Sequence, residues 1–177
     1  MTRMKLSLDS AVRRKPVYLA NTRRLFGHVD DVIIDPKFGV LAIVSQDSRY
    51  GTWAFPYTHT QIANDGITVV EDEKQSPRRF LREGRFYQDM LGAKVLGPDR
   101  AIIGRIKDVE LVNLQTGDVA YRVSPPGLRG LWSPAFSVDA ATEVVAHSFD
   151  AITLGAETRV PSVADGPELN GGGLIQE

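Results

Sequence analysis

The fold of this chain is decided by one stretch of sequence, GHVDDVII at residues 27–34, because the chain repeats it as GRIKDVEL at residues 104–111. After each copy comes a turn that contains glycine, and then an alternating strand, at residues 39–44 and again at 117–123. Self-similarity at a fixed spacing is the signature of repeated structural units. The sequence therefore predicts two copies of one β-rich unit, and residues kept in both copies are expected to maintain the fold.

A change of phase inside this stretch indicates the shape of each unit. Alternate residues of a strand share one face of its sheet. In the first copy the apolar positions run from Gly27 to Val29 and then shift to Val32 and Ile34, and the second copy makes the same shift. A shared phase change predicts a β-bulge in the long strand of each unit. Bent strands joined by short turns curl a small sheet, so we expect a mainly β fold with two small antiparallel β-barrels in tandem.

The remaining sequence divides around these two units. We expect a basic N-terminal arm at 1–14, a first barrel module at 15–72, a charged linker at 73–90, a second barrel module at 91–154 and a flexible tail at 155–177. Aromatic residues between arginines favour a helical turn in the short linker that packs on a barrel. The tail is rich in glycine and proline and cannot bury enough apolar surface to order itself, so we expect it to be extended.

Composition and charge limit the functions that the chain can have. It has 177 residues, of which 42% are hydrophobic, a formal net charge of −1 and no cysteine, which excludes disulfides and thiolate metal sites. No apolar stretch approaches the roughly 20 residues that span a bilayer, and the N-terminus does not resemble a secretory signal. We therefore expect a soluble cytoplasmic protein.

Two basic clusters stand out against this near-zero net charge. Such clusters attract anionic lipid headgroups, RNA or an acidic protein face. The alternative is a solvated surface whose charges bind nothing. The candidate partner-binding residues in these clusters are Arg13, Arg14, Arg78, Arg79 and Arg82.

The two copies differ on one strand face. In the first copy this face carries Val40, Ala42 and Val44, whereas the second copy has the more polar set Asp118, Ala120 and Arg122. An unmatched apolar strip is either the seam between the two barrels or a docking surface for another protein. Both interpretations remain open from the sequence.

The repeated motif resembles the PRC-barrel family. The pattern is Gly-x-Val/Ile-x-Asp-Val, followed by a turn with glycine, an alternating strand and an aromatic-proline segment, and the second copy matches best through its lead-in at residues 91–99. The resemblance implies a small β-barrel used for docking, without a catalytic centre or a bound cofactor. Members of the family include the cytoplasmic part of the photosynthetic reaction-centre H subunit and the C-terminal domain of a ribosome maturation factor.

A loose similarity to H subunits after the barrel, at residues 149–154 and 172–175, decides which partner is expected. It predicts an adaptor on the cytoplasmic face of a photosynthetic reaction-centre or light-harvesting complex, peripheral on the membrane and in contact with photosynthetic membrane proteins and anionic lipid headgroups. The alternative is an RNA- or ribosome-associated maturation factor, with nucleic acid the less favoured partner.

Residues that could carry chemistry are few. Asp31 and Asp108 lie at equivalent positions of the phase change and could form a carboxylate dyad, but the Asp-Thr/Ser-Gly signature of such dyads is absent. We expect each to accept hydrogen bonds from backbone N–H groups freed by the bulge. His28 lies near Asp30 and should point away from the barrel, and no further ligands complete a metal site. The sequence therefore predicts that the chain is not an enzyme and holds no metal.

The aromatic residues of the two copies have two possible roles. Trp53 and Trp132 follow the repeated stretch at equivalent places, with Phe55, Tyr57 and Phe136 close to them in sequence. Stacking platforms for nucleic acid are one role. Recurrence in both copies favours the other, which is packing in a core or between the barrels.

Overall fold

The computed structural model describes residues 5–49, 51–127, 134–158 and 160. It consists of two curled sheets in tandem, each with the shape of a half-barrel, which confirms the mainly β fold expected from the repeat. The strands are β1 (Leu6–Ser7), β2 (Pro16–Leu19), β3 (Leu25–Asp35), β4 (Gly39–Asp47), β5 (Gly51–Pro56), β6 (Thr60–Ile62), β7 (Ile67–Val69), β8 (Arg85–Phe86), β9 (Lys94–Leu96), β10 (Ile102–Leu111), β11 (Val119–Ser124), β12 (Phe136–Asp139), β13 (Val144–His147) and β14 (Ala151–Leu154). The helices are short: α1 (Leu8–Ala11), α2 (Pro77–Phe80), α3 (Tyr87–Met90) and α4 (Ala140–Glu143).

The two sheets have the same topology. The strand order is β5-β4-β3-β2-β7-β6 in the first and β12-β11-β10-β9-β14-β13 in the second. Neighbouring strands pair antiparallel, except that β2 pairs with β7 and β9 with β14 in parallel, at equivalent places. The repeat seen in the sequence is therefore a repeat of structure.

Both long strands contain the bulge that the phase change predicts. The register of β3 against β4 shifts between Val29 and Asp31, and that of β10 against β11 shifts between Ile106 and Asp108. At each bulge the aspartate side chain accepts a hydrogen bond from the next backbone N–H: Asp31 Oδ1 lies 2.7 Å from the nitrogen of Val32, and Asp108 makes the equivalent contact at 2.8 Å. The expectation that these carboxylates accept hydrogen bonds from backbone N–H groups at the bulge is confirmed.

The arm and the linker exchange their strands between the modules. Strand β1 precedes the first module in sequence but pairs with β10 of the second, with Leu6 opposite Leu111. Strand β8 precedes the second module but pairs with β3 of the first, with Phe86 opposite Ile33. Each module is thus completed by the lead-in segment of the other, and the linker contains two short helices where the sequence favoured a single turn.

The modules share one hydrophobic core and meet at two equivalent turns. A single cluster of buried side chains contains Val32 of the first module and Val109 of the second. At the seam, the backbone nitrogen of Val40 donates to the carbonyl oxygen of Gly117, 2.9 Å away. Because this core contains side chains of both modules, the two modules pack together as one body.

Two tyrosines bind the turns of the opposite module. The hydroxyl of Tyr121 donates to the carbonyl oxygen of Pro36 at 2.7 Å, and the hydroxyl of Tyr57 donates to that of Leu114 at 2.6 Å. These carbonyls lie at equivalent positions, since the turns of β3–β4 and β10–β11 are capped in the same way by Asp35 and Asn113. The seam is therefore close to two-fold symmetric.

Candidate functional site

The apolar strip of the first module is not on the surface. Val40 is 7% exposed, Ala42 is fully buried and Val44 is 2% exposed. Val40 lies at the seam, and the other two belong to a small second core cluster that the linker covers. The covering side chains are Phe80, Leu81 and Phe86. A partner could reach Ala42 and Val44 only if the linker left, so the structure explains the strip by contacts within the chain.

The linker is held firmly over this cluster. Two backbone hydrogen bonds of 2.8 Å join Gln75 to Ala54 on the edge strand β5. Gly84 lets the linker approach the sheet, because a Cβ at this position would lie 2.6 Å from a methyl carbon of Ile33. Apolar side chains thus face the sheet, and the charged side chains of the same segment are left on the outside.

The outward side of the linker is basic. Residues 77–86 contain four arginines and a single carboxylate, Glu83. Arg78, Arg79 and Arg82 are exposed, and Arg85 is half-buried. None of these four guanidinium groups makes an ion pair with another described residue. We call Arg78, Arg79, Arg82 and Arg85 the linker face; no ion pair with a described residue neutralises its positive charge.

The two candidate arginines of the arm have different surroundings. Arg13 donates to Asp9 at 2.6 Å, and its guanidinium carbon lies 5.4 Å from the ring centroid of Tyr87. Arg14 is exposed and adopts a left-handed conformation, with φ of 64°. Its counterpart in the second copy is Gly92, with φ of 83°. Arg13 is therefore engaged within the chain, whereas the Arg14 side chain is available to solvent.

A groove of about 480 Å³ lies where the linker meets both modules. Phe38 of the first module, Arg82 and Arg85 of the linker and His147 of the second module line it. Phe149 adjoins the groove, because its ring centroid is 5.2 Å from the guanidinium carbon of Arg85. We call this feature the aromatic groove. Exposed aromatic rings lie next to arginines here, which suits ligands that carry aromatic groups. The lining also includes the carboxylates of Asp35 and Glu83.

The two phenyl rings are unusually exposed and are held on tight turns. Phe38 is 71% exposed and Phe149 is 75% exposed. The backbone nitrogen of Phe38 donates to Asp35 Oδ1 at 3.0 Å, and Tyr121 fixes the same turn through its bond to Pro36. Hydrogen bonds therefore hold the backbone of the Phe38 turn, while both rings are exposed to solvent.

The Phe149 turn is closed by an ion pair. Lys94 Nζ lies 3.0 Å from a carboxylate oxygen of Asp150. The hydrogen bond and positive charge of Lys94 lower the pKa of Asp150, so this carboxylate is ionised at neutral pH. The backbone nitrogen of Ser148 donates to the carbonyl of Ala151 at 2.8 Å across the same turn.

Neither ring is repeated in the other module. The turn hydrogen bonds align Phe38 with Thr116 and Phe149 with Asn64. The duplicated fold therefore does not require a phenyl ring at either place. Sequence reasoning missed both residues, although this departure from the repeat was a signal that could have found them.

The remaining candidates have structural roles or no visible role. Burial raises the pKa of Asp31, against the hydrogen bond from Val32 and the charge of Arg13, which lower it. Asp108 also accepts a hydrogen bond from the hydroxyl of Tyr87, at 3.0 Å. His28 is exposed, as the strand alternation predicts. Within the described ranges, no group of three or more His, Cys, Asp or Glu side chains could hold a metal ion.

The repeated aromatic segments contribute to the core where they are described. Phe55 and Tyr57 are buried, and Trp53 and Phe136 pack partly buried against the shared core. Trp132 and most of the C-terminal tail lie outside the described residues. In the part of the chain that the structure covers, no helix has the length and apolar character needed to cross a membrane.

Comparisons with known proteins give a similarity to solved structures. No family model and no curated protein matches the chain. Among solved structures, the chain is similar to a proposed 16S ribosomal RNA processing protein, RimM, from Pseudomonas aeruginosa. The two share 12% sequence identity over 81% of this chain and 94% of the other, with a TM-score of 0.33. The assignment to the PRC-barrel family therefore stays a resemblance of motifs, and nothing in the comparisons supports the resemblance to the H subunit.

Proposed function

We propose that this chain is a docking protein without catalytic activity that binds an RNA-containing assembly, such as a ribosomal particle, through its linker face. The observation that carries the proposal is the orientation of the linker. Its apolar side chains pack on the first module, whereas Arg78, Arg79 and Arg82 are exposed and Arg85 is half-buried. None of these four arginines has an ion-pair partner among the described residues. Unpaired arginines on a firmly held segment suit the phosphate backbone of a nucleic acid.

The similarity of the repeated motif to PRC barrels, which are docking modules, agrees with this role. Of the two partners that the resemblance suggests, the described contacts favour the ribosomal one, because two arginines of the linker face, Arg82 and Arg85, lie beside the exposed rings of the aromatic groove. A photosynthetic membrane partner stays a prediction from the sequence, since no described contact favours it.

Binding to ribosomal particles at increasing salt concentration tests this proposal. Each phosphate contact that is lost should reduce the slope of log affinity against log salt by about 0.7 to 0.9. The triple variant Arg78→Gln, Arg79→Gln, Arg82→Gln should therefore bind more weakly, with a slope smaller by about 2 to 3.

The control variant removes the same charge elsewhere. Arg24, Arg49 and Arg122 are exposed and lie outside the linker, so their replacement by glutamine should leave most of the binding intact. Equal binding by the two triple variants would contradict a specific role of the linker face. Binding to anionic lipid vesicles, with none to ribosomal particles, would contradict the choice of RNA.

A further inference from the structure

We propose that the aromatic groove binds single-stranded RNA, with unpaired bases stacked on Phe38 and Phe149 and the phosphates in contact with Arg82 and Arg85. This inference rests on the proposed function and adds to it the kind of RNA and the residues that recognise it. The four side chains come from three separate parts of the chain, and the fold brings them to one place.

The exposure of the two rings is the first step of the argument. Among the large apolar side chains that the structure describes as exposed, these two are the most accessible, and the next is Val145 at 55%. A phenyl ring left in water gains no stability from burial. The equivalent positions of the other module are Thr116 and Asn64, so the fold does not need either ring. Binding of a ligand would explain why both rings are exposed.

The rigidity of the two turns is the second step. Phe38 lies on the turn that Asp35 caps and Tyr121 holds, and Phe149 lies on the turn that the Lys94–Asp150 ion pair closes. A ring on a fixed backbone has little conformational freedom to lose when a ligand stacks on it. Preorganised surfaces of this kind bind with a smaller entropic cost than flexible ones.

The occupant is inferred from arginines that lie beside exposed aromatic rings. Arg82 and Arg85 line the groove, and neither has an ion-pair partner among the described residues. Two carboxylates, Asp35 and Glu83, also line the groove, and Oδ1 of Asp35 accepts hydrogen bonds from two backbone N–H groups, so this oxygen is directed at its own turn. Aromatic side chains beside arginines are the usual combination for single strands, whose bases are free to stack. Duplex RNA keeps its bases stacked inside the helix and could use only the arginines.

Fluorescence anisotropy with a labelled oligoadenylate of about 12 nucleotides tests the inference, since comparable sites cover roughly 4 to 16 nucleotides. The full chain should bind this strand more tightly than a duplex of the same length. Phe38→Ala and Phe149→Ala should each weaken binding of the strand by about 5- to 150-fold and leave duplex binding nearly unchanged. The salt slope should stay as in the wild type, because no phosphate contact is removed.

Leu25→Ala and Ile102→Ala are matched controls. Both are large apolar side chains, 49% and 48% exposed, and neither lines the groove, so neither change should alter binding. Unchanged urea midpoints in the phenylalanine variants would show that they fold. Wild-type affinity of the double phenylalanine variant for the oligoadenylate would overturn the inference. So would a wild-type chain that binds an acidic protein or anionic vesicles, and not the oligoadenylate, through these two phenylalanines.

The outcomes separate this inference from the proposed function. Binding to ribosomal particles that depends on the linker arginines but not on the two phenylalanines would overturn the stacking site alone. Failure of the wild-type chain to bind any RNA would overturn both.

Discussion

Replacing Tyr121 by phenylalanine should destabilise the whole molecule, because this side chain joins the two modules. Tyr121 is fully buried, and its hydroxyl donates to the carbonyl of Pro36, which is also buried. The change leaves that carbonyl without its donor in an environment that water does not reach. Loss of a partner for a buried polar group costs about 1 to 3 kcal/mol. For a chain of this length we expect the melting temperature to fall by roughly 2 to 4 °C for each kcal/mol.

The opposite tyrosine offers a comparison within the same molecule. Tyr57 makes the equivalent bond to the carbonyl of Leu114, but Leu114 is 44% exposed. Water can therefore replace the hydroxyl, and Tyr57→Phe should cost only about 0.5 to 1.5 kcal/mol, the net value of an ordinary hydrogen bond. The hydroxyl of Tyr18 makes no hydrogen bond to another described residue, so Tyr18→Phe controls for removal of the group itself.

Urea unfolding, followed by tryptophan fluorescence and by circular dichroism, measures these differences. The midpoint should fall most in Tyr121→Phe, less in Tyr57→Phe and least in Tyr18→Phe, with the slope of the transition unchanged. The two signals should coincide, since the modules share one core. Equal stability of Tyr121→Phe and Tyr18→Phe, or two separate transitions in the wild type, would refute this account of the seam.

Four further substitutions test the bulge, the seam and the two equivalent left-handed positions, Arg14 and Gly92. Burial raises the pKa of Asp31, so the native state holds this proton more tightly than the unfolded state does. Ionisation of Asp31 therefore lowers the free energy of unfolding as pH rises from 3.8 through the raised pKa. In denaturant titrations, Asp31→Asn should lose that pH dependence and be at least as stable as the wild type at pH 7. Gly39 has φ of 102°, and a Cβ there would lie 2.4 Å from the carbonyl oxygen of Gly117. Gly39→Ala should therefore lower the free energy of unfolding by more than the roughly 1 kcal/mol of backbone strain alone, with a matching fall of the thermal midpoint. Gly92→Ala should lower the free energy of unfolding by about 1 kcal/mol. Arg14→Gly removes the strain of a left-handed arginine and should raise the free energy of unfolding by up to about 1 kcal/mol in the same assay.

Local patterns in the sequence were sufficient to predict the repeated strands and their bulges. The phase change from Val29 to Val32 is a property of consecutive residues, and the backbone groups that it frees need an acceptor, which Asp31 supplies. Every link in that prediction lies within a few residues of the next. The tandem arrangement followed because the same local pattern occurs twice.

The exchange of β1 and β8 could not be predicted in this way. Strands of two residues, such as Leu6–Ser7 and Arg85–Phe86, are too short to show an alternating pattern. Their partners, Leu111 and Ile33, are distant in the chain and present nothing in the sequence that identifies them. The apolar strip at Ala42 predicts a surface that packs against something else, but for the same reason the sequence does not show that the linker packs on it.

The aromatic groove depends on contacts that are still more distant. Phe38 and Phe149 belong to different modules, and an exposed phenylalanine in a sequence looks the same as a buried one. Comparison of the two copies position by position would have marked both, but only after the turns were aligned by their capping residues, Asp35 and Asn113.

The crossed lead-in strands have a consequence for how the surface of this molecule could diverge. Two separate copies of one module, interlocked in the same way, would be a symmetric dimer, and every substitution in it would appear on both sides. Covalent fusion through the linker removes that constraint, because each half can change alone while still completing its neighbour. A surface that combines Phe38 from one half with Phe149 from the other can then exist once per molecule, with Thr116 and Asn64 at the mirror positions. Joining the halves in one polypeptide thus allows a symmetric scaffold to carry an asymmetric face.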